Sequence, residues 1–576
     1  MAKRVQFILL GLLAGAAFWQ LSELPWDWRD SRAFAAVAVL ALAFFGGALG
    51  MLGELGGRRA LLWAGAISLP AAGLTWLKSL AFSDVAQMLG ASHVALALLL
   101  VTVLPVPFAI AIAKGGRAGW RDYPVLFCET WNIVVRYAAA WLFVALVWLV
   151  LWLLSALLEL VGIDQLGEFL TEAPVAWLIS GAVLGLGLSV VVELSDMLSA
   201  ALLLRLLRLL LPVVLLVELV FVAVLPASGL SHLFGYLSPA GILIATALAS
   251  ILLVAIAVDQ DDTEAAQAPA LTWSARGLAL LLPVLVGLAA WALALRIGQH
   301  GWTPDRVCAA AALLVIAGYA LSYALAVLRG AGWRGTIRQA NVVMALVALA
   351  IGVLWLTPML SAERIAVRSQ LARYEAGKIR AEELPVWEFA HEWGRAGADA
   401  LEQLRRSAAL PGQEALAQRI AQLDGAKLRG DMGESASSVD ARATALRPVI
   451  RVLPEGEVLP EPLLEAIARM ADPDWAEGCV RMTAAGNPGC VVILADFGPA
   501  VPGRDALLLR ESGFETVLAF HETGARWMLA RPVFLGPSGA PAGGALIDAL
   551  IKGNGTTEPA QIQALPLGAR QVTVLP

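Results

Sequence analysis

The chain has 576 residues, of which 59% are hydrophobic and only 15% are charged, and its net charge is −5. A soluble globular chain carries about 25% charged residues, so this composition indicates a membrane protein. No cluster of basic residues is dense enough for a nucleic-acid-binding surface, and we therefore exclude nucleic acid as a partner.

Eleven apolar stretches in the first 360 residues are each long enough to cross a bilayer, which takes about 20 residues of helix. The first follows Met-Ala-Lys-Arg, and its length favours an uncleaved anchor over a removed signal peptide. Arg205 and Arg208 interrupt the segment 195–208, so we expect this segment to lie in the membrane interface. The predicted spans are 5–25, 32–53, 60–80, 92–113, 134–161, 174–194, 207–226, 237–258, 277–297, 306–328 and 339–360.

The orientation follows from the basic residues in the short connections, because lysine and arginine concentrate on the cytoplasmic side. One alternating set of connections holds 13 of these residues and the other only 5, which predicts a cytoplasmic N-terminus. Eleven spans then predict a C-terminal domain outside the cytoplasm, and one miscounted helix would reverse that side. The acidic connection 258–276 falls on the cytoplasmic side, but acidic residues contribute little to the rule. The larger set is Lys3, Arg4, Arg58, Arg59, Lys114, Arg117, Arg121, Arg205, Arg208, Arg276, Arg329, Arg334 and Arg338, and the smaller is Arg29, Arg32, Lys78, Arg296 and Arg306.

Charged residues become frequent beyond Leu360, where the sequence predicts water-soluble structure. Residues 386–407 and 416–423 have the apolar spacing of amphipathic helices, and residues 430–438 are polar as in a loop. Short apolar runs then predict a small β-meander with one helix. The predicted strands are 449–453, 490–495, 506–509, 514–520 and 526–531, and the helix is 462–470.

These patterns together define a fold class and three segments. The class is an all-α polytopic membrane bundle of about eleven transmembrane helices followed by a smaller soluble α+β domain. The multi-helix transmembrane domain covers 1–360. An amphipathic helical extracytoplasmic segment covers 361–430, and a small α+β extracytoplasmic domain covers 431–576.

Glu218 is an acidic residue well inside a predicted span. A charged side chain at this depth costs roughly 2.5–3.5 kcal/mol on insertion scales, so it normally faces protein or water and has a partner. One interpretation is a site for relaying protons or cations. The other is a structural glutamate that is protonated, or paired with an arginine such as Arg136, and that fixes helix packing.

The four cysteines form no Cys-x-x-Cys pair and the five histidines are scattered, so we predict no metal site and no cofactor. If the C-terminal domain lies outside the cytoplasm, Cys479 and Cys490 are expected to form a structural disulfide. The alternative is two reduced cysteines that never meet. The acidic segment 496–505 lacks most of the alternating oxygen ligands of a calcium loop, so we interpret it as an ordinary turn.

Two segments are distinctive. One is 296–306, with the sequence Arg-Ile-Gly-Gln-His-Gly-Trp-Thr-Pro-Asp-Arg, followed by the span that contains Tyr319 and Tyr323. The other is 361–388, which contains Arg-Ser-Gln-Leu-Ala-Arg-Tyr-Glu-Ala-Gly-Lys. Both resemble hallmark segments of a bacterial membrane-protein family known only as a domain of unknown function. The resemblance extends over most of residues 1–410 and implies a bacterial inner-membrane location with many helices, but no catalytic or binding residues.

Three functions remain open, in descending order of preference. The first is a non-enzymatic envelope protein that presents a periplasmic domain to a periplasmic or membrane protein. The second is a proton-coupled secondary transporter, suggested by Glu218 and by spans interrupted by proline. The third is an enzyme acting on a lipid or lipid-linked substrate. The nucleotide-binding, zinc-protease and hydrolase signatures are absent from the sequence. The local concentration of polar residues that an enzyme could use is Arg121, Asp122, Glu129 and Arg136.

Overall fold

The structure is a computed structural model. It describes residues 2–194, 200–228, 239–425, 436–471, 479–497, 504–511, 517–524, 526–530, 543–552, 565–567 and 570–572. The chain divides into two compact units, Met1–Leu423 and Asp424–Pro576.

The first unit is entirely helical within its described residues. Short helices at the connections alternate with long apolar ones, as expected for a polytopic membrane protein. Its helices are α1 (Ala2–Ser22), α2 (Trp26–Arg29), α3 (Arg32–Leu55), α4 (Gly57–Ser79), α5 (Val85–Gly90), α6 (Ser92–Val103), α7 (Pro105–Gly115), α8 (Tyr123–Glu159), α9 (Gln165–Thr171), α10 (Ala173–Glu193), α11 (Ala200–Arg208), α12 (Leu211–Ser228), α13 (Pro239–Val258), α14 (Pro269–His300), α15 (Pro304–Arg329), α16 (Trp333–Trp355), α17 (Ala362–Glu375), α18 (Val386–His391), α19 (Gly394–Ala408) and α20 (Glu414–Gly425).

Eleven helical segments of the described chain are long and apolar enough to cross a membrane, which confirms the predicted membrane bundle. Consecutive spans run in opposite directions. Ala2 and residue 361 therefore lie at opposite ends of the bundle. We call the end with residues 361–423 the cap end and those residues the helical cap.

The segment interrupted by Arg205 and Arg208 contributes to a span. Ala201–Leu225 forms one candidate span, built from α11 and α12 with a short break at Leu209 and Leu210. Residues 195–199 of the predicted interface segment lie outside the described residues.

The tightest helix pair is α1 against α10. A Cβ atom added at Gly181 would lie 2.2 Å from the carbonyl oxygen of Gly11, and one added at Gly11 would lie 2.1 Å from the carbonyl oxygen of Gly181. No side chain fits there, and the absence of side chains lets the two backbones touch. The Gly181–Gly185 spacing therefore marks a close helix contact. Gly46 and Gly50 have the same spacing on α3. The hydroxyl of Tyr137 on α8 donates to the carbonyl oxygen of Gly46 at 2.5 Å, and the Tyr137 ring lies 3.5 Å from a Cβ added at Gly50.

The helical cap packs with the transmembrane helices. The compact unit extends past residue 360 to Leu423. The amphipathic helix expected over 386–407 is broken into α18 and α19. At the break the backbone N–H of Arg395 donates to the carbonyl oxygen of Ala81, at 2.9 Å. The chain therefore turns to reach the connection after α4, although the apolar spacing continues through the break.

The second unit is an α+β domain, as predicted. Strands β2 to β5 form an antiparallel meander, and β1 pairs with β2 in parallel. The helices α21 and α22 cover an apolar core that includes Leu463, Val492 and Phe520. Most of the predicted polar loop 430–438 lies outside the described residues, and a helix begins at Ala436. The elements are α21 (Ala436–Leu446), β1 (Arg451–Leu453), α22 (Glu461–Met470), β2 (Cys490–Ala495), β3 (Asp505–Arg510), β4 (Val517–Thr523), β5 (Arg526–Ala530), α23 (Gly543–Lys552), β6 (Leu565–Leu567) and β7 (Arg570–Val572).

Candidate functional site

A buried ion pair joins the helical cap to the transmembrane helices. The Lys78 Nζ atom lies 2.8 Å from Oε1 of Glu363 and 3.1 Å from its Oε2. Each side chain is only 2% exposed. Lys78 is in the last turn of α4 and Glu363 in the first turn of α17. Each charge therefore faces the favourable end of its own helix dipole.

The carboxylate of Glu363 has two further polar neighbours. The hydroxyl of Ser361 donates to its Oε2 at 2.9 Å, and Nε2 of His93 lies 4.0 Å from its Oε1. The indole N–H of Trp355 donates to Nδ1 of His93 at 3.1 Å. Because Nδ1 accepts, Nε2 carries the hydrogen of a neutral imidazole and faces the carboxylate. Lys78 and Glu363 thus neutralise each other beside an uncharged histidine.

Two opposing effects set the protonation of Glu363. Burial raises the pKa of the carboxyl group, because a charge is costly away from water. The positive charge of Lys78 and its hydrogen bond lower the pKa by more, so the net pKa of Glu363 is below its ordinary value. The carboxyl group is therefore ionised at neutral pH and the ion pair is intact.

A second contact joins α17 to the connection between α14 and α15. The Gln370 amide donates to the carbonyl oxygens of His300 and Trp302, at 2.9 and 3.0 Å. Arg373 donates to the carbonyl oxygens of Gly298 and Gln299, at 3.0 and 2.6 Å. These bonds satisfy carbonyl groups that the end of α14 leaves without helical partners. The two distinctive sequence segments therefore bind each other.

Gly301 is required in this contact for two reasons. Its φ of +75° is a conformation that residues with side chains rarely adopt. A Cβ atom there would also lie 2.7 Å from Cδ of Arg373 and 2.8 Å from Nε2 of Gln370. The glycine in 296–306 thus allows α17 to approach the end of α14.

A third contact completes the attachment of the helical cap. Besides the Arg395–Ala81 bond, the Gln87 amide donates to the carbonyl oxygen of Ala390, at 3.2 Å. These contacts fix the helical cap to two connections at the cap end, residues 80–91 and residues 301–303. We call these three contacts together the mount, because they attach the helical cap to the transmembrane helices. Its charged side chains hold helices together.

Glu218 lies on α12 and its partner is Ser250 on α13. It is not paired with Arg136. The Ser250 hydroxyl also contacts the carbonyl oxygen of Thr246, at 3.0 Å. The Ser250 hydroxyl therefore shares its one hydrogen between Oε1 of Glu218 and the carbonyl oxygen of Thr246. The other carboxyl oxygen of Glu218 is buried without a partner among the described residues.

Arg136 belongs to a separate four-charge cluster at the end of the bundle opposite the cap. Its Nη2 atom lies 2.8 Å from Oε1 of Glu54. Lys114 bridges Glu54 and Glu129, at 2.6 and 2.8 Å. Helices α3, α7 and α8 supply these residues. Arg136 pairs with Glu54 rather than with Glu218 because Glu54 lies within hydrogen-bonding distance. Sequence reasoning missed Glu54 and Lys114 because they lie on other helices.

The predicted concentration of polar residues around 121–136 does not assemble as one site. Glu129 and Arg136 join the four-charge cluster. Asp122 instead caps α8 by accepting from the backbone N–H of Val125, at 3.4 Å. The guanidinium of Arg121 lies 4.5 Å from the centre of the Trp120 ring. These four residues therefore do not form one candidate catalytic site.

In the second unit, Cys479 and Cys490 are joined by a disulfide, with their Cα atoms 4.8 Å apart. Of the acidic segment 496–505, residues 498–503 lie outside the described residues. Asp505 contacts Nδ1 of His521, at 2.7 Å. Within the described ranges, no group of three or more His, Cys, Asp or Glu residues could hold a metal ion.

Breaking the Lys78–Glu363 pair should loosen the helical cap. In Lys78→Met the carboxylate of Glu363 stays buried without its cation, which costs about 3–5 kcal/mol. We expect a lower thermal midpoint in detergent and faster proteolytic cutting within 361–423. The double variant Lys78→Met with Glu363→Leu should lose less, because no charge is left unpaired.

The matched control is Arg406→Met, which removes an exposed pair with Glu402 in the same helical cap. An exposed pair contributes about 1 kcal/mol or less. Equal effects of Lys78→Met and Arg406→Met would show that the buried pair does not hold the cap.

The chain was compared with known proteins. No family model, no curated protein and no solved structure matches it. The chain is an integral membrane protein whose helical cap is attached to the transmembrane helices.

Proposed function

We propose that this is a bacterial inner-membrane envelope protein whose helical bundle presents its C-terminal unit to a protein partner in the periplasm. The observation that carries the proposal is the mount. The helical cap is fixed to the bundle by a buried ion pair, by side-chain hydrogen bonds to backbone carbonyl oxygens, and by a backbone hydrogen bond. The helical cap is the part of the first unit that directly precedes the second unit in the chain.

Charge distribution supports the orientation. The end opposite the cap holds the larger set of basic residues, as the cytoplasmic side does in membrane proteins. The acidic connection there is paired with arginines: Asp259 with Arg208, and Asp262 with Arg338 at 2.8 Å. Two of the four acidic residues of the connection are therefore neutralised by arginine. Membership of the bacterial family that the sequence resembles is part of the same proposal.

The side of the second unit is tested by thiol labelling of spheroplasts. Full-length protein with Cys128→Ser and Cys308→Ser retains only Cys479 and Cys490. We expect a membrane-impermeant maleimide to label intact spheroplasts only after reduction, because the disulfide persists in an oxidising compartment. The readout is the mass shift of the purified chain.

A matched control for membrane integrity is a cysteine introduced at Arg117 in the same background, in the connection between α7 and α8. It should label only after lysis. Labelling of Cys479 and Cys490 only after lysis would place the second unit in the cytoplasm and defeat the proposal.

The partner is tested by comparing the full chain with one that ends after Leu423. This truncation keeps Glu363 and the rest of the mount. We expect proteins cross-linked to the full chain from the periplasmic side to be lost from the shorter chain, while both chains insert equally. Cross-linked proteins that are identical for both chains would mean that the second unit presents nothing.

A second candidate function, proton-coupled transport, has one observation in its favour. Glu218 is buried in the bundle and is hydrogen-bonded through Ser250 to Thr246. The second carboxyl oxygen of Glu218 lacks a partner among the described residues. If it carries protons, Glu218→Gln should abolish a proton-coupled flux in vesicles, while the exposed control Glu159→Gln should not change it. A flux that survives Glu218→Gln would remove this candidate.

A further inference from the structure

A cleft opens at the end of the bundle opposite the cap, between α8, α11 and the connection 259–268. Its volume is about 200 Å³. Phe127, Trp131 and Leu204 form its apolar wall, and Asn132 adds a polar group. Phe127 and Trp131 lie in the first turns of a span, at the depth where aromatic rings meet lipid headgroups. The cleft can therefore admit a molecule that is partly apolar and partly polar.

The connection that closes the cleft is held rigidly. Arg208 donates to the carbonyl oxygens of Ile256 and Glu264, at 3.1 and 2.9 Å, and pairs with Asp259. From the other side, Arg338 donates to the carbonyl oxygens of Val258 and Asp259, at 2.8 and 3.1 Å. A cleft whose wall is already ordered binds without a further ordering cost.

Asp259 has an unusual backbone conformation. Its φ is +52°, and among the described residues other than glycine it alone has a positive φ. Such a conformation persists only where the surroundings enforce it, and it is concentrated at binding sites. Here the bonds from Arg208 and Arg338 enforce it.

Two charges on the wall remain accessible. Arg208 and Asp259 neutralise each other and are nearly buried, whereas the side chains of Arg205 and Glu264 are 69% and 48% exposed. Their closest atoms are 3.9 Å apart, which is a loose ion pair. A purely anionic ligand would meet Glu264, and a purely cationic one would meet Arg205. A ligand with both charges satisfies both residues.

We propose that this cleft binds a phosphoethanolamine group, with its phosphate at Arg205 and its ammonium at Glu264. Arginine bonds phosphate through two parallel N–H groups. A primary ammonium has three N–H donors for a carboxylate, which a quaternary ammonium lacks. The apolar wall then receives the first part of an acyl chain, so the ligand is the headgroup of a zwitterionic phospholipid.

Cys128 provides a local readout. It lies on the cleft wall, and its thiol donates to Oε1 of Gln260, at 2.7 Å. A bound headgroup should shield it from N-ethylmaleimide. Cys308 lies in α15 near the cap end and serves as the internal reference.

The test measures the labelling rate of Cys128 in delipidated full-length protein in detergent. Phosphatidylethanolamine at ten times its Kd should slow labelling about tenfold, because only unliganded protein reacts. Phosphatidylglycerol should protect much less. Water-soluble phosphoethanolamine is the third probe. Protection by the lipid alone assigns the site to membrane lipid, and protection by both assigns it to the headgroup from either source.

Variants locate the site. Arg205→Gln and Glu264→Gln should each remove the protection. Arg205→Lys keeps the charge but loses the paired N–H groups, so it should retain only part of the protection. Arg329→Gln changes an exposed arginine outside the cleft and should have no effect. The Cys308 rate reports whether each variant is folded. Equal protection by phosphatidylethanolamine and phosphatidylglycerol, or protection that survives both Arg205→Gln and Glu264→Gln, would overturn the proposal.

Discussion

A membrane interior supplies no water to hydrogen-bond a polar group, so a chain that crosses it must satisfy its polar atoms from within. This constraint explains the arrangement of charge in the first unit. Lys78 is opposed by Glu363, Arg136 by Glu54, and Glu218 is bonded to Ser250. In each case the partner comes from another helix, and the pairs therefore fix the positions of helices as well as neutralising charge.

The two ends of the bundle use their charges differently. At the cap end, a buried ion pair and a set of more exposed hydrogen bonds to carbonyl oxygens connect the helical cap to the spans. At the other end, arginines bind a connection whose own residues are acidic, and two side chains on the rim of a cleft stay exposed to solvent. The buried pair Lys78–Glu363 attaches the helical cap to the spans. The exposed side chains of Arg205 and Glu264 are accessible to a ligand.

Much of the architecture could be predicted, because local patterns determine it. Runs of about 20 apolar residues locate spans, and all eleven are present. Alternating short runs located the meander strands to within a few residues. Amphipathic spacing predicted cap helices too, but it did not show the break near Trp393, which depends on a bond to Ala81.

The sites were harder to predict because their members are far apart in the sequence. Lys78 and Glu363 are separated by 285 residues. Nothing in the pattern around either one indicates the other. For the same reason Glu218 was identified as unusual, while its partner Ser250 was not, and Arg136 was expected near the wrong acid. A single sequence shows which residues need a partner without showing which residue supplies it.

The backbone contact between α1 and α10 also has a consequence for biosynthesis. Helix α1 leaves the ribosome before the spans that follow it, yet the helix it touches most closely is the sixth of the described spans. Until that span enters the bilayer, the glycine surface of α1 faces lipid or the insertion machinery. The contact between Gly11 and Gly181 must therefore wait for another 170 residues of translation, although α1 can pack against α3 earlier. This helix pair is thus completed late in assembly.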